Sequence, residues 1–199
     1  MSIMTRETVM EDFAAFLESF FARKRTIEVG PGSAMELISI PSNPERSTLF
    51  VWSEDSISSE VLKQVSAVHL AIETLSEREI NPTFHQGLVH HNFATAQTSY
   101  MYSDLVPLVI HTMHRDKNVS KIVAKYIRMI VRFHKGELFS TGRYRSITFD
   151  STGKPSTIRD EQKGIELVDT PTLFRVETSE HYVYNIDAET VEAVQITGP

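Results

Sequence analysis

Apolar residues recur at the spacing of an amphipathic helix in two long segments of the chain. Near the N-terminus, Thr8 and Glu11 can form a capping box, and the phenylalanine-rich pattern that follows predicts a helix ending near Arg25. The segment from Val119 to Lys135 predicts a second long helix. We expect this helix to end at Gly136, because glycine suits the left-handed position that follows a helix terminus.

Two other segments also carry apolar residues at helical spacing. One helix is predicted from about Ser58 to Glu77, where the dipeptide Asn81-Pro82 then stops it. A short apolar helix is predicted from Asp104 to His114, with Pro107 tolerated in its first turn.

Strand patterns occupy the remaining apolar segments. Ala34 to Ile40 and Thr48 to Trp52 predict two short strands, and the turn-forming residues 41–44 between them favour a hairpin. After Gly136, four segments rich in β-branched and aromatic residues alternate with turn residues, which predicts a β-meander. These segments are Glu137 to Asp150, Gly164 to Leu167, Thr172 to Thr178 and Tyr182 to Ile186.

The order of these elements predicts the fold class. Helices that precede a run of strands favour an α+β fold, in which N-terminal and central helices pack on an antiparallel sheet formed mainly by the C-terminal third. A length of 199 residues suits one domain, so we expect residues 1–199 to form a single unit that is helix-rich over 1–136 and a β-meander over 137–199.

Composition removes several classes of function. The chain has no cysteine, which excludes disulfides, thiolate metal sites and a cysteine nucleophile. The N-terminal segment lacks the pattern of a secretory signal, and no apolar run reaches the roughly 18 residues that a membrane span needs. We therefore expect a protein of the cytoplasm or another reducing intracellular compartment, without a transmembrane segment.

Charge is distributed unevenly along the chain. The formal net charge is −6, yet the segment from Arg115 to Arg145 holds nine basic residues and two acidic ones. This segment is therefore +7, which leaves −13 for the rest of the chain. The net charge alone would argue against a polyanionic partner, whereas its distribution favours one.

The basic residues of the predicted helix fall on one side of it. At about 100° per residue they lie within an arc of roughly 80°, and apolar residues occupy most of the opposite half. This basic ridge consists of Lys117, Lys121, Lys125, Arg128, Arg132 and Lys135. Arg143 and Arg145 follow on a predicted strand and share a face of it, while Tyr144 takes the other, so the two arginines would widen the patch.

An anionic partner would stabilise a ridge of like charges, because cations four residues apart on a helix repel each other. Nucleic-acid phosphates, an acidic protein surface and an anionic membrane surface are the candidate partners, and a merely solvated face is the alternative. Among the partners, nucleic acid is favoured, RNA weakly over DNA. The acidic remainder of the chain could also attract the ridge of a neighbouring copy and build a homo-oligomer.

Histidines supply a competing hypothesis. Five of the eight histidines lie between residues 85 and 114, namely His85, His90, His91, His111 and His114. His111 and His114, three residues apart on the predicted helix, could share one metal ion with a third histidine and with Asp104 or Asp116 as the carboxylate ligand. Zinc or ferrous iron would suit such a site, although the spacing matches no named metal motif.

Motifs of other chemistries are missing. Gly30-Pro31-Gly32 has neither the ending of a phosphate-binding loop nor the third glycine of a dinucleotide fingerprint, and it reads as a turn. The sequence implies no cofactor and assigns no catalytic residue. It predicts a non-enzymatic binding and assembly protein for nucleic acid, which could be a capsid-, nucleocapsid- or matrix-like subunit. A metal-dependent enzyme and a protein–protein adaptor are the alternatives.

Overall fold

The computed structural model describes residues 6–38, 47–53, 66–75, 87–92, 97–160 and 164–185. Within these residues the chain forms three helices and nine strands. The helices are α1 (Arg6–Arg23), α2 (Lys117–His134) and α3 (Gly136–Phe139). The strands are β1 (Thr26–Gly30), β2 (Ser33–Glu36), β3 (Leu49–Ser53), β4 (Val68–Thr74), β5 (Gly87–Asn92), β6 (Gln97–His114), β7 (Tyr144–Thr152), β8 (Ser156–Asp160) and β9 (Ile165–Asn185).

Two long strands form the centre of the main sheet. β6 and β9 pair antiparallel along their whole common length, from Gln97 opposite Asn185 to His114 opposite Val168. Because each is far longer than the usual strand of 3–10 residues, its outer edge accommodates two partners in succession. β4 and β5 pair with the two halves of β6, and β7 and β8 pair with two stretches of β9. β3 extends the sheet by pairing parallel with β4.

The main core lies between one face of this sheet and the helices α1 and α2. Phe13, Leu17 and Phe21 of α1 are fully buried, and they belong to the same apolar cluster as Leu70 of β4 and Ile127 of α2. Each such side chain stabilises the fold by about 1.5–3 kcal/mol through its removal from water. This burial fixes α2 against the sheet, so that only part of its circumference is left to other contacts.

The predicted fold class is confirmed, as are the two long helices. α1 ends at Arg23 and α2 at His134, within two residues of the predicted ends. Gly136, however, does not take a left-handed conformation, because it begins the short helix α3. The left-handed glycine of this region is Gly142, which precedes β7.

The two other predicted helices are wrong where the structure describes them. Residues 68–74 of the first form strand β4, and residues 104–114 of the second belong to strand β6. Both segments lie inside the sheet, and residues 67–72 are buried on both faces. A strand buried on both sides carries an unbroken apolar run, whose periodicity does not distinguish it from a buried helix. Residues 58–65 lie outside the described residues.

The predicted hairpin between Ala34 and Trp52 is also wrong. β2 pairs instead with β1, around the turn Gly30-Pro31-Gly32, and β3 pairs with β4. The turn reading of the three residues is thereby confirmed, with Gly32 at a φ of 70°. In the C-terminal third, residues 136–139 are helical, and the last three predicted strands are parts of the single strand β9.

Candidate nucleic-acid interface

Helix α2 is anchored to the sheet at its N-terminal end. Asp116 is the N-cap residue, and its Oδ1 accepts a hydrogen bond of 2.7 Å from the backbone N–H of Asn118. Ser120, fully buried, donates to the carbonyl oxygen of Thr112 at 2.9 Å and shares a hydrogen bond of 2.5 Å with the hydroxyl of Thr170. These bonds satisfy a buried hydroxyl and fix the rotation of the helix on β6 and β9.

The basic ridge lies on the side of α2 next to this buried face. Five of its six side chains are exposed, and Lys135 is half-buried. The exposed five are Lys117, Lys121, Lys125, Arg128 and Arg132. Within the described part of the chain, no carboxylate lies within 4 Å of any of these five. The ridge is therefore helical and largely exposed, and its five exposed cations form no ion pair with a described acidic group.

Aromatic rings hold the cations at the C-terminal end of the ridge. The Arg128 guanidinium lies 4.3 Å from the centre of the Phe149 ring on β7, a distance typical of a cation–π contact. Lys135 donates a hydrogen bond of 3.3 Å to the carbonyl oxygen of Ile147, and its Nζ lies 5.5 Å from the ring centre of Phe139. Lys135 is thus partly committed to the fold, whereas Arg128 contacts a ring and has no carboxylate within 4 Å among the described residues.

Arg143 and Arg145 do not extend the unneutralised patch, because each of them pairs with a carboxylate. Arg143 contacts Asp12 of α1 at 3.2 Å, and Arg145 contacts Glu177 of β9 at 3.6 Å. Tyr144 is buried in the main core and Arg145 is exposed, so these two divide between the strand faces as predicted, and the Tyr144 hydroxyl donates to the same Asp12 at 2.7 Å. Arg143 lies just before β7, and a bulge between residues 144 and 146 breaks the alternation. Burial and the bond to Asp12 raise the pKa of Tyr144.

The apolar part of α2 is divided between the core and the surface. Its buried face consists of Ser120, Val123, Ala124, Ile127, Ile130 and Val131. Two residues that the sequence assigned to the apolar half are exposed instead: Met129 is 38% exposed and Phe133 is 71% exposed. With the half-buried Ile122 and Tyr126, which pack against the main core, they form an apolar strip between the ridge and the other edge of the buried face. The sequence contains a signal for this exposure. A complete buried face of α2 needs no residue of the strip once it includes Ser120, Ala124 and Val131.

A groove separates α2 from the β1–β2 hairpin. It has a volume of about 530 Å³, and its walls are residues 28–34 of the hairpin together with Ile122, Lys125, Tyr126 and Met129 of α2. Lys24, which follows α1, places its Nζ 5.3 Å from the centre of the Tyr126 ring. The groove therefore contains both a basic residue of the ridge and part of the apolar strip.

Of the five histidines proposed as metal ligands, the two with described side chains, His111 and His114, are not brought together. His111 and His114 lie on strand β6 and not on a helix, so their separation of three residues directs their side chains to opposite faces. His114 is buried and accepts a hydrogen bond of 2.9 Å from the backbone N–H of Asp116. His85 lies outside the described residues, as do the side chains of His90, His91 and Asp104. Across the described ranges, no group of three or more His, Asp or Glu side chains is arranged to hold a metal ion.

His111 is instead the centre of a charged cluster on the sheet face opposite α2. Its Nδ1 lies 2.8 Å from Oδ2 of the buried Asp169, and its Nε2 lies 3.1 Å from Oε2 of Glu73. The hydrogen bond to Asp169 is the largest cause of a raised His111 pKa, and Glu73 raises it further, against the opposing effect of burial. Both ring nitrogens are occupied, so the cluster ties strands β4, β6 and β9 together.

No protein-family model matches the chain, and no curated protein is significantly similar to it. In the part of the chain that the structure describes, no helix has the length and apolar character needed to cross a membrane. The geometry of α2 is therefore the main guide to the function of this protein.

Proposed function

We propose that this protein binds nucleic acid through the basic ridge of α2 and has no catalytic role there. The observation that carries the proposal is the set of five exposed ridge cations without a carboxylate within 4 Å among the described residues. Like charges four residues apart repel by a few tenths of a kcal/mol per pair, so the ridge is a small cost to the free protein. A bound polyanion removes that cost.

The regularity of the ridge favours a linear polyanion over the carboxylates of a folded protein. From Lys117 to Arg132 the cations follow one another every three or four residues. On an α-helix this is a rise of about 5–6 Å between neighbours and about 22 Å in all. A phosphate backbone presents charges in a comparable linear series, whereas acidic side chains on a protein surface are irregularly placed. RNA is favoured weakly over DNA.

Association with further copies of the chain is the second part of the proposal. The acidic remainder of the chain, at −13, supplies a surface that a neighbouring ridge would attract. A protein that coats a nucleic acid would use its ridge for the polymer and other surfaces for its neighbours, as a capsid-, nucleocapsid- or matrix-like subunit does. Mass measurement in solution, with and without oligonucleotide, tests this part, and a strict monomer in both conditions would contradict it.

A binding titration with a matched control tests the first part. The probe is a fluorescently labelled RNA of 20 nucleotides, titrated with the wild type and with the Lys121→Glu, Lys125→Glu, Arg128→Glu variant. The control, Lys154→Glu, Arg159→Glu, Arg175→Glu, changes the net charge equally at exposed bases outside α2. Loss of binding in the ridge variant alone supports the proposal. Equal loss in both variants, or none in either, would overturn it.

A further inference from the structure

The described fold covers the strip beside the basic ridge only in part, because Ile122 and Tyr126 pack against the main core while the rest of the strip is exposed. Phe133 at 71% is the most exposed large apolar side chain of the described residues, and Met129 is exposed at 38%. Together with Tyr126 and Ile122 they follow one another at intervals of three or four residues, so they form a continuous line along α2. Exposed apolar surface of this kind next to a strong charge is typical of a binding site.

The strip and the ridge lie next to each other along the same length of the helix. Lys125 belongs to the ridge and also lines the groove that contains Tyr126 and Met129. At the far end, the Arg132 guanidinium lies 5.6 Å from the ring centre of Phe133. A ligand that lies along α2 would therefore meet positive charge on one side and aromatic or apolar surface on the other.

We infer that α2 binds single-stranded nucleic acid, with phosphates on the ridge and unpaired bases on the apolar strip. This inference rests on the proposed function and specifies its ligand class. In a duplex the faces of the bases are stacked inside the helix, so Tyr126 and Phe133 could not contact them. In a single strand each base offers a flat face to an aromatic ring, whatever its sequence. The two rings are seven residues apart, or about 10 Å along the helix.

The charges of the groove agree with this orientation. Glu28 lines the hairpin side of the groove and would repel a phosphate placed there. Lys125 lines the α2 side of the groove, and Lys24, which follows α1, places its Nζ 5.3 Å from the centre of the Tyr126 ring. The groove therefore favours a base near Tyr126, with its phosphate directed toward the ridge and away from Glu28.

The experiment compares strands and variants at one salt concentration. The probes are a labelled 12-nucleotide oligo(U) and a duplex RNA of equal length, titrated with the wild type and with Phe133→Ala. We expect the wild type to bind the single strand at least tenfold more tightly, and we expect Phe133→Ala to weaken that binding about tenfold, since stacking on one aromatic ring contributes about that factor. Phe133→Tyr should restore binding because it keeps the ring. The duplex affinity should not change.

The controls separate stacking from general loss of apolar surface. Ile158 is 45% exposed and Leu105 is 38% exposed, and both lie on strands outside α2, so Ile158→Ala and Leu105→Ala remove comparable surface elsewhere. Neither should change the affinity for oligo(U). In Phe133→Ala the salt dependence should equal that of the wild type, because the number of phosphate contacts is unchanged. A changed salt slope would contradict the assigned role of the strip.

Three outcomes would overturn the inference in distinguishable ways. Equal affinity for strand and duplex, with Phe133→Ala unaffected, overturns the single-strand inference and leaves the proposed function intact. Absence of binding to either probe overturns both. A concentration-dependent dimer that Phe133→Ala abolishes identifies the strip as an interface between copies of the chain, and this also excludes it as a base-binding surface.

Discussion

Arginines inside and outside α2 differ in the groups that surround them. Of the seven arginines outside the helix whose side chains the structure describes, five contact a carboxylate at 2.9–3.6 Å. They are Arg23, Arg143, Arg145, Arg159 and Arg175. Arg128 and Arg132 of α2 contact phenylalanine rings instead, and no described carboxylate reaches them. Outside α2, Arg25 and Arg115 likewise have no described carboxylate within 4 Å, so pairing is frequent there but not general.

The paired arginines contribute to the stability of the fold, whereas the ridge cations are available to a ligand. A surface ion pair contributes about 0.2–1 kcal/mol, so the paired arginines stabilise the protein modestly. The ridge cations contribute mutual repulsion, since the sequence has no acidic residue from Lys117 to Lys135. Substitutions on the two sets should therefore change stability in opposite directions, and only those on the ridge should change binding.

The largest expected effect concerns binding by the ridge. The Lys121→Glu, Lys125→Glu, Arg128→Glu variant should lose at least 100-fold in RNA affinity at moderate salt, because three phosphate contacts are replaced by repulsion. Its free energy of unfolding, measured by urea denaturation, should stay within about 1 kcal/mol of the wild type, because relief of repulsion offsets the loss of the Arg128–Phe149 contact. Loss of affinity together with loss of folded structure would leave the contrast between the two sets of charges unsupported.

The His111 cluster provides the next effect, on stability as a function of pH. Its pKa is raised in the folded state, so the stabilisation by the imidazolium is full below the unfolded pKa of about 6.5 and is lost as pH rises through the folded value. Hydrogen bonds to charged groups contribute about 1.5–3 kcal/mol. His111→Gln should therefore cost about that much at pH 5.5 and progressively less toward pH 9. A cost that grows with pH would be the opposite of this prediction.

A smaller effect is expected at a paired arginine. Arg143→Gln removes the contact with Asp12 and should lower the free energy of unfolding by about 0.2–1 kcal/mol. RNA binding should stay within twofold of the wild type, because Arg143 lies outside the ridge. A loss of affinity as large as that of a single ridge substitution would mean that the two sets of charges do not differ in function.

The smallest effect is expected from removing one ridge charge. Lys121→Gln should raise the free energy of unfolding by a few tenths of a kcal/mol, because it relieves repulsion from Lys117 and Lys125. Thermal unfolding at low salt measures the difference, and 0.5 M salt should remove it through screening. Destabilisation at low salt would point to a favourable contact of Lys121 instead.

The sequence was most informative where an element has one buried face. The phenylalanines of α1 and the basic residues of α2 recur with a helical period, because each helix meets the core on one side only. β4 and β6 lie inside the sheet, where apolar residues are needed on both faces. The spacing of their apolar residues therefore resembles that of a buried helix. For this reason the sequence predicts His111 and His114 on one face of a helix, whereas they lie on opposite faces of strand β6.

Only part of the candidate nucleic-acid interface can be predicted from the sequence. The ridge follows from local sequence, since six residues of one helix define it. The pairing of Arg143 with Asp12 joins residues far apart in the chain, and no local pattern contains it. The exposure of Met129 and Phe133 depends equally on tertiary packing, because the sheet selects which arc of α2 is buried.

The salt dependence of binding to the single-stranded RNA tests the central claim most directly. If five ridge cations contact phosphates, a plot of log K against log salt concentration should have a slope of about −3.5, and the triple substitution should reduce it by about 2. A slope near zero, or the same slope for wild type and variant, would contradict the assignment of the ridge as a phosphate-binding surface.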